Sequence, residues 1–357
     1  MLDIASYESA ARAGLTEQVW DFIQGGSGSE SALAANRAAL ERLRIRPRVL
    51  VDVSGCSPAG SVFGTPLAAP LGVAPMAYHR LACPDGETAT AKAAGETGTL
   101  LTVSMFASRT LEDIAAAASG PLWLQLYWLR QREALVELAD RAAAAGFQAL
   151  VLTVDAPRVA RRPRDVRSGF TVPGDVRAVN LPAALMSSSH ERTEGASAIE
   201  RHSREQFDSS ITWADLAWLR ERTALPLVLK GILTAEDAEL ALAHGASGVV
   251  VSNHGGRQLD SAVAAADALP EVVDAVDGRA LVAVDGGIRS GADLLRVLAL
   301  GADLALVGRP VFWGLAQAGA QGAAGVLRLL AEELDEAMAL SGCPSLSDIT
   351  RALITSR

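Results

Sequence analysis

Eight short apolar runs, spaced along the chain, constrain its fold more than any other feature of the sequence. Each run has about four to eight residues, is bounded by Gly, Pro or Asp, and shows no alternation of apolar and polar side chains. Strands without alternation are buried on both faces, as in a parallel sheet covered by helices. The runs are Ala69–Pro75, Thr99–Ser104, Leu122–Tyr127, Leu150–Asp155, Leu227–Lys230, Gly248–Asn253, Leu281–Asp285 and Leu304–Gly308.

Segments with a helical apolar period lie between these runs. Strand then helix, repeated eight times, predicts an α/β chain folded as a (β/α)8 TIM barrel. The active site of such a barrel lies at the C-terminal ends of the strands, so polar residues there should share one mouth. The helical segments include Arg132–Ala145, Thr212–Arg222, Ala235–His244 and Ala292–Leu300. The polar residues at or beside strand ends are Tyr127, Asp155, Lys230, His254, Asp285 and Arg309.

Composition and charge argue against several classes of partner. Half of the 357 residues are hydrophobic, which suffices for one barrel domain. The net charge of −9 argues against nucleic acid and anionic membranes, and no run approaches the ~18 apolar residues of a membrane span. Cys56, Cys83 and Cys343 are odd in number and lack metal-ligand spacing, and the N-terminal residues do not resemble a signal peptide. We expect a cytoplasmic protein with unpaired thiols and without a metal site, a nucleic-acid partner or a membrane partner.

The connection between the fourth and fifth runs is unusually long, at about seventy residues. Its middle is rich in Ser, Glu, Arg and His and has little periodicity. We predict one domain, in which residues 1–65 form an extension of helices and a short ribbon that reach the mouth, and residues 66–357 form the barrel. Residues 171–210 are predicted to be a mobile flap over the mouth; a disordered insertion without a role is the alternative.

A histidine and an arginine follow the sixth run. His254 and Arg257 are three residues apart, and Gly255 and Gly256 between them would let a ligand approach the backbone. This pairing is typical of a base beside an anion-binding group. It predicts chemistry on a carboxylate substrate, with a histidine satisfied inside the core as the alternative for His254.

Glycines and arginines follow the seventh and eighth runs. Gly286 and Gly287 precede Arg289, and Gly308 precedes Arg309. Glycines free backbone N–H groups to face a phosphate, and each arginine adds charge-assisted hydrogen bonds. The two loops therefore predict a phosphate-binding site.

Lys230, at the end of the fifth run, permits two interpretations. Its cation could lie beside the N1–C2=O edge of a flavin, while Gln125 and Thr153 bond the polar edge of the ring. Its amine could instead form a Schiff base, as in barrel aldolases. The residue types leave both open.

These segments together resemble the FMN-dependent α-hydroxy-acid oxidase/dehydrogenase family, which includes glycolate oxidase, lactate oxidase and mandelate dehydrogenase. The resemblance runs nearly end to end and favours the flavin interpretation of Lys230. It implies FMN as cofactor, a small 2-hydroxy acid and O2 as partners, and a homotetramer. The segments that carry it are 21–28, 74–77, 125–127, 153–158, 161–162, 230–232, 252–260, 285–289 and 308–310.

The resemblance also implies roles for individual residues. Arg162 and Arg257 would hold the substrate carboxylate, although a solvated salt bridge is the alternative for Arg162. His254 would take a proton from C2 or from the hydroxyl, Asp155 would pair with the imidazolium, and Tyr127 would donate a hydrogen bond to the substrate oxygen. The residues expected to bind FMN are Ala77, Ser104, Gln125, Thr153, Lys230, Ser252, Asp285, Gly286, Gly287, Arg289, Gly308 and Arg309.

Two positions depart from the family pattern. Phe22 stands where many members have a tyrosine that bonds the carboxylate, and Phe106 stands where several have a tryptophan. Both leave apolar rings near the mouth, which suits an aryl side chain better than a hydrogen or methyl group. The tracts 20–22, 25–30 and 127–130 resemble the 4-hydroxymandelate oxidase branch of the family.

Three functions stay open on the sequence. The favoured one is an oxidase of an aryl 2-hydroxy acid, such as (S)-mandelate or 4-hydroxymandelate, that passes electrons to O2 and forms H2O2. Lactate or glycolate is the alternative substrate of such an oxidase. The second function is a dehydrogenase of the same fold that uses a quinone or protein acceptor. The third is a non-oxidative barrel that only binds phosphate.

Overall fold

The computed structural model describes residues 1–182, 185, 186, 190 and 197–356. Eight parallel strands form a closed barrel in which chain neighbours pair, and the last strand pairs with the first. This architecture confirms the predicted (β/α)8 TIM barrel, and each strand overlaps one predicted run. The strands are β1 (Leu71–Val73), β2 (Leu100–Ser104), β3 (Leu122–Leu126), β4 (Ala149–Thr153), β5 (Leu227–Ile232), β6 (Gly248–Val251), β7 (Leu281–Asp285) and β8 (Leu304–Val307).

Helices surround the barrel and cover part of its mouth. They are α1 (Ile4–Gly14), α2 (Glu17–Gln24), α3 (Ser31–Arg42), α4 (Glu87–Glu96), α5 (Leu111–Ala117), α6 (Arg132–Ala144), α7 (Pro163–Ser168), α8 (Ala198–Gln206), α9 (Asp215–Arg220), α10 (Ala235–Ala243), α11 (Ala265–Val276), α12 (Gly291–Ala299) and α13 (Arg309–Ser341). Three of the four predicted segments match α6, α10 and α12 to within one residue at each end. The fourth is shorter than predicted, because the Asp215 carboxylate accepts hydrogen bonds from the backbone N–H and hydroxyl of Thr212 and forms a turn there.

Strand periodicity explains why polar side chains collect at the mouth. Trp123, Val151 and Val228 belong to an apolar cluster inside the barrel. Since successive side chains of a strand point to opposite faces, the residue two positions later also points inward. The inward pairs are Trp123 with Gln125, Val151 with Thr153, Val228 with Lys230, Val250 with Ser252, and Ala283 with Asp285. An apolar layer therefore supports a polar one.

The N-terminal extension divides between the two ends of the barrel. Helix α2 reaches the mouth, as predicted, where Phe22 lines the cavity. The ribbon of Gly60–Val62 and Thr65–Leu67 does not reach the mouth, contrary to the prediction. Val62 and Leu67 pack into the apolar cluster inside the barrel, so the ribbon closes the opposite end. This choice depends on packing with β2 and β3, which the local sequence does not reveal.

The long connection between β4 and β5 contains α7, α8 and α9. The end of α8 and the residues just after it are hydrogen-bonded to the segment that follows β3. Arg130 N–H donates to the Gln206 carbonyl at 2.9 Å, and Asp208 N–H donates to the Trp128 carbonyl at 2.9 Å. The predicted flap, residues 171–210, includes 183, 184, 187–189 and 191–196, which lie outside the described residues. Four of its described residues line the cavity at the mouth: Ile199, His202, Ser203 and Phe207. That the segment is a mobile flap stays a prediction.

Three further features concern the described ranges alone. No helix in them is long and apolar enough to cross a membrane. No three His, Cys, Asp or Glu side chains within them are grouped as metal ligands would be. Cys56, Cys83 and Cys343 are free thiols, and Cys343 is buried.

Candidate active site

A cavity opens at the C-terminal ends of the barrel strands, as the polar strand ends predict. It is lined by most of the residues that the sequence pointed to: Phe22, Ala77, Ser104, Phe106, Gln125, Tyr127, Thr153, Arg162, Lys230, His254, Arg257, Asp285, Gly286, Gly287, Arg289, Gly308 and Arg309. Ser252 and Asp155 do not line it. Ser252 is fully buried behind the wall, and Asp155 contacts His254 from behind.

His254 lies between an acid and a phenol. Its Nδ1 is 3.0 Å from Asp155 Oδ1, and its Nε2 is 3.3 Å from Tyr127 Oη. Asp155 has room because Gly231 faces it at φ 111°; a Cβ at that glycine would lie 2.5 Å from the Asp155 Cβ. A carboxylate on Nδ1 fixes the tautomer that leaves Nε2 toward the cavity.

The surroundings of this group set its protonation. Burial lowers the pKa of His254 against the opposing effect of Asp155, so the imidazole is neutral at pH 7. Burial disfavours charge on Asp155, but the adjoining His254 and the cation of Lys230 outweigh it and lower the pKa of that carboxyl. Burial and the Asp155 charge raise the pKa of Tyr127 to about 12. The site therefore combines a neutral base, an anionic partner and a protonated phenol.

Lys230 belongs to a buried chain of polar groups across β5, β6 and β7. Its Nζ donates to Ser252 Oγ at 2.9 Å and lies 3.2 Å from Asp285 Oδ2, while Ser252 Oγ donates to Asp285 Oδ1 at 2.6 Å. Burial lowers the pKa of Lys230, but the carboxylates of Asp285 and Asp155 outweigh it and raise that pKa. A lysine held as a cation suits a flavin contact and disfavours the free amine that Schiff-base chemistry requires.

A row of hydrogen-bonded side chains crosses the mouth beside Lys230. Ser104 Oγ donates to Gln125 Oε1 at 3.1 Å, and Gln125 Nε2 donates to Thr153 Oγ1 at 3.0 Å. All three side chains are buried and lie on neighbouring strands. The row offers amide and hydroxyl groups to the polar edge of a planar ring.

Four arginines crowd the cavity with few carboxylates among them. Burial and the nearby Arg162 and Arg309 lower the pKa of Arg257, and burial together with Arg289 lowers that of Arg309 to about 9. Arg162 is buried, its nearest carboxylate, Asp165, is 3.8 Å away, and no described group accepts a hydrogen bond from its Nε. Because this burial excludes a solvated salt bridge, the cluster calls for anionic ligands.

The glycine loops after β7 and β8 line the cavity together with Arg289 and Arg309. Gly286 and Gly287 have φ values of 106° and 82°, and a Cβ on Gly287 would lie 2.7 Å from the Asn36 carbonyl oxygen. Arg289 extends over the Trp313 ring, 4.9 Å from its centroid, and burial lowers its pKa to about 10. Exposed backbone and arginines at one end, and a polar row with Lys230 at the other, fit a phosphate joined to a flavin ring.

Aromatic side chains form the remaining wall. Phe207 stacks on Tyr127 with ring centroids 4.8 Å apart and lies 6.2 Å from Phe106, while His202 meets Phe106 edge-on at 5.7 Å. Phe22 stacks on Phe170 at 4.2 Å and faces the guanidinium of Arg257. Sequence reasoning missed Phe207 and His202. Phe207 is an isolated aromatic residue in a polar stretch, and this was the only sequence signal that could have identified it. No sequence signal pointed to His202.

Comparison with known proteins agrees with this geometry. Residues 11–356 match the family described as FMN-dependent dehydrogenase. The chain is 48% identical over 350 residues to 4-hydroxymandelate oxidase of Amycolatopsis orientalis, which covers 98% of this chain and 97% of that protein. It is 44% identical over 357 residues to L-lactate oxidase of Nostoc sp., covering 99% and 98%.

Solved structures give the same result. The crystal structure of mandelate oxidase with (S)-4-hydroxymandelic acid superposes with a TM-score of 0.96 at 46% identity, covering 100% of this chain and 99% of that one. The chain therefore belongs to the FMN-dependent dehydrogenase family, and FMN is its cofactor.

Proposed function

We propose that the protein oxidises (S)-2-hydroxy acids with an aryl side chain, such as (S)-mandelate or 4-hydroxymandelate. The products are the 2-oxo acid and, from O2, H2O2. The observation that carries this proposal is a neutral His254, backed by Asp155 and facing Tyr127, in a cavity that also holds Arg162 and Arg257. The cavity thus joins a base to an anion-binding cluster.

Bound FMN would supply the acceptor for the electron pair that leaves C2 of the substrate. Arg289, Arg309 and the backbone of Gly286, Gly287 and Gly308 would hold its phosphate. The ring would meet Lys230 and the row of Ser104, Gln125 and Thr153, with Ala77 on the wall. Ser252 and Asp285 would support this contact indirectly, because they hold the Lys230 ammonium in place.

Two arginines hold the substrate carboxylate. Arg162 is buried and Arg257 is half-buried, so solvent screens them little, and each can form a bidentate pair. The carboxylate would also relieve the repulsion among the crowded cations. Binding and orientation therefore come from the same contact.

His254 and Tyr127 act on the hydroxyl-bearing carbon. The imidazole accepts a proton at Nε2, from C2 or from the hydroxyl, and Asp155 stabilises the imidazolium through Nδ1. Tyr127 keeps its proton, because its pKa is about 12, and donates a hydrogen bond to the substrate oxygen. The 3.3 Å distance between Tyr127 Oη and His254 Nε2 supports these roles, because it lets both groups contact the same substrate hydroxyl.

The aromatic wall supports the choice of an aryl substrate. Phe22, Phe106 and Phe207 present buried rings to the cavity, beside His202 of α8. A phenyl group packed there would bury apolar surface that glycolate and lactate lack. Relatives named 4-hydroxymandelate oxidase and mandelate oxidase support the same choice, and their naming as oxidases supports O2 as acceptor.

We also propose that the protein is a single-domain, cytoplasmic homotetramer whose residues 171–210 move over the mouth. The family resemblance supports the tetramer, and three free thiols support a reducing compartment. Contacts of Phe207 with Tyr127 and Phe106 support the location of the flap.

A substrate panel tests the function. The purified, FMN-loaded protein is assayed for H2O2 with (S)-mandelate, 4-hydroxymandelate, lactate and glycolate, and in parallel with a quinone analogue under argon. We expect stoichiometric peroxide and 2-oxo acid, with the aryl acids preferred. Turnover with the quinone analogue and none with O2 would replace the oxidase by a dehydrogenase.

A further inference from the structure

We infer that helix α3 is a positioning element, which holds the His254 loop (residues 253–260) at both ends. Asn36 of α3 fixes the residue before His254, and the N-terminus of α3 fixes Asp260. The inference rests on the proposed role of His254 as the base. Helix α3 would thus affect the reaction through the position of the His254 loop and not by contact with the substrate.

The first contact is a reciprocal pair of amides. Asn36 Nδ2 donates to Asn253 Oδ1 at 2.8 Å, and Asn253 Nδ2 donates to Asn36 Oδ1 at 2.9 Å. Both side chains are nearly fully buried, so water does not compete for these bonds. Asn36 Oδ1 also accepts from Ala265 N–H at 3.3 Å, and Asn253 Oδ1 accepts from Gly256 N–H at 3.1 Å. The pair thereby joins α3, the start of α11 and the loop itself.

The second contact lies at the other end of the loop. The Asp260 carboxylate accepts from Ser29 N–H at 2.6 Å, from Ala32 N–H at 3.1 Å and from Ser31 Oγ at 2.8 Å. These donors belong to the first turn of α3 and the residues just before it. An acid at a helix N-terminus satisfies N–H groups that have no partner within the helix. Asp260, which the motif contains but the proposed reaction leaves without a role, therefore anchors the loop.

The backbone between the two anchors shows why anchoring matters. His254 has φ 59°, in the left-handed region, and Gly255 and Gly256 follow with 61° and 75°. Positive φ is uncommon for a residue other than glycine and is held in place by the surrounding structure. A Cβ at Gly256 would lie 2.5 Å from the Leu33 backbone nitrogen, so the loop packs directly on α3. Without the anchors, the imidazole would leave its position between Asp155 and Tyr127.

The test compares two substitutions on the same helix. Asn36→Ala removes the amide pair. Arg42→Ala removes an exposed ion pair between α3 and Asp267 of α11 and changes neither anchor. Each FMN-loaded variant is studied by hydrogen exchange of the peptide spanning 253–260 and by anaerobic flavin reduction with (S)-mandelate. A peptide from the barrel exterior, such as 135–144, reports global opening.

We expect Asn36→Ala to speed exchange in 253–260 at least tenfold, with 135–144 unchanged, and to lower the maximal reduction rate at least tenfold. The substrate concentration for half-maximal reduction should change less than threefold, since Arg257 keeps its own hydrogen bonds to the Ile23 and Gly25 carbonyls and Arg162 lies outside the loop. Arg42→Ala should match the parent protein throughout. If Asn36→Ala shows the same exchange rate in 253–260 and the same flavin reduction rate as Arg42→Ala, the inference is overturned.

Asn36→Asp keeps the fold testable if the alanine variant does not accumulate. It retains the side-chain size and the two accepting contacts but sets a carboxylate oxygen against Asn253 Oδ1, which is itself an acceptor, so faster exchange in 253–260 and slower reduction than in the parent are expected. Values equal to those of the parent would count against the inference. Exchange is measured without turnover, so a protein that oxidises no hydroxy acid would refute the proposed function while leaving the anchoring result intact.

Discussion

Nδ1 of His254 lies 3.0 Å from Oδ1 of Asp155, which stands 99 positions earlier in the chain. The two residues come from loops after β6 and β4, and only barrel closure brings them together. Burial lowers the pKa of the imidazole, while Asp155 opposes that shift. Burial therefore keeps the base neutral at pH 7, and the pairing with Asp155 stabilises the imidazolium once it forms.

The pH profile follows from this balance. Since the pKa of His254 is lowered below its ordinary value of 6.5, the acid limb of kcat/KM should fall below pH 6.5. Asp155→Asn removes the charge that raises this pKa, so the limb should move further down while the plateau rate falls at least tenfold. Steady-state peroxide assays between pH 4 and 8 measure both. A limb at or above 6.5, or an upward move in Asp155→Asn, would show that the assigned base is wrong.

Replacement of the base gives a second test. His254→Asn preserves a side chain that tolerates the left-handed φ of 59°, so the loop should keep its shape. We expect FMN to stay bound, substrate affinity to remain within about tenfold, and anaerobic flavin reduction to fall at least about 10²-fold. His244→Asn, at the C-terminus of α10 and far from the cavity, is the control. Equal reduction rates in the two variants would return His254 to a structural role.

The phosphate site is tested by charge reversal. Arg309→Glu should place a negative charge where the phosphate binds and remove a charge-assisted hydrogen bond worth roughly 1.5–3 kcal/mol. The FMN dissociation constant should rise at least about tenfold, read by flavin fluorescence during titration of the apoprotein. Arg328→Glu, which breaks a surface pair with Glu96, is the matched control. Full flavin occupancy in purified Arg309→Glu would contradict the assignment.

Substrate preference depends on the aromatic wall. Burying ~100 Å² of a phenyl group against Phe22 and Phe106 is worth about 2.5 kcal/mol, so mandelate or 4-hydroxymandelate should exceed glycolate and lactate in kcat/KM at least tenfold. Phe22→Tyr should narrow the gap, because the new hydroxyl can bond the carboxylate of small acids. Steady-state assays on the four acids measure it.

Phe207 extends this prediction to the segment that covers the mouth. Phe207→Ala should lower the ratio of kcat/KM for mandelate to that for glycolate at least about tenfold, because an aryl substrate loses a packing contact. The lost stacking on Tyr127 should affect both acids alike and leave this ratio unchanged. Phe63→Ala, at the closed end of the barrel beside Trp123, should leave the ratio unchanged. Comparable turnover of glycolate and mandelate by the unmodified chain would remove the aryl preference altogether.

The sequence alone determined the barrel and the polar layer at its mouth. Uniformly apolar runs bounded by Gly, Pro or Asp specify strands buried on both faces, and their period of two aims Gln125 and Lys230 inward beyond Trp123 and Val228. The glycines after β7 and β8 and the arginines beside them are local signals as well. Such features can be predicted because each depends on residues close together in the chain.

Only the tertiary structure decided which distant groups meet. The ribbon closes the far end of the barrel instead of its mouth. Phe207, in the connection after β4, stacks on Tyr127, and Asn36 pairs with Asn253. No local sequence pattern predicts these contacts. An asparagine in a helix is usually exposed, and only packing shows that Asn36 is buried. Burial and barrel closure create the partners and shift the pKa values of His254 and Lys230, and both arise from contacts between residues far apart in the chain.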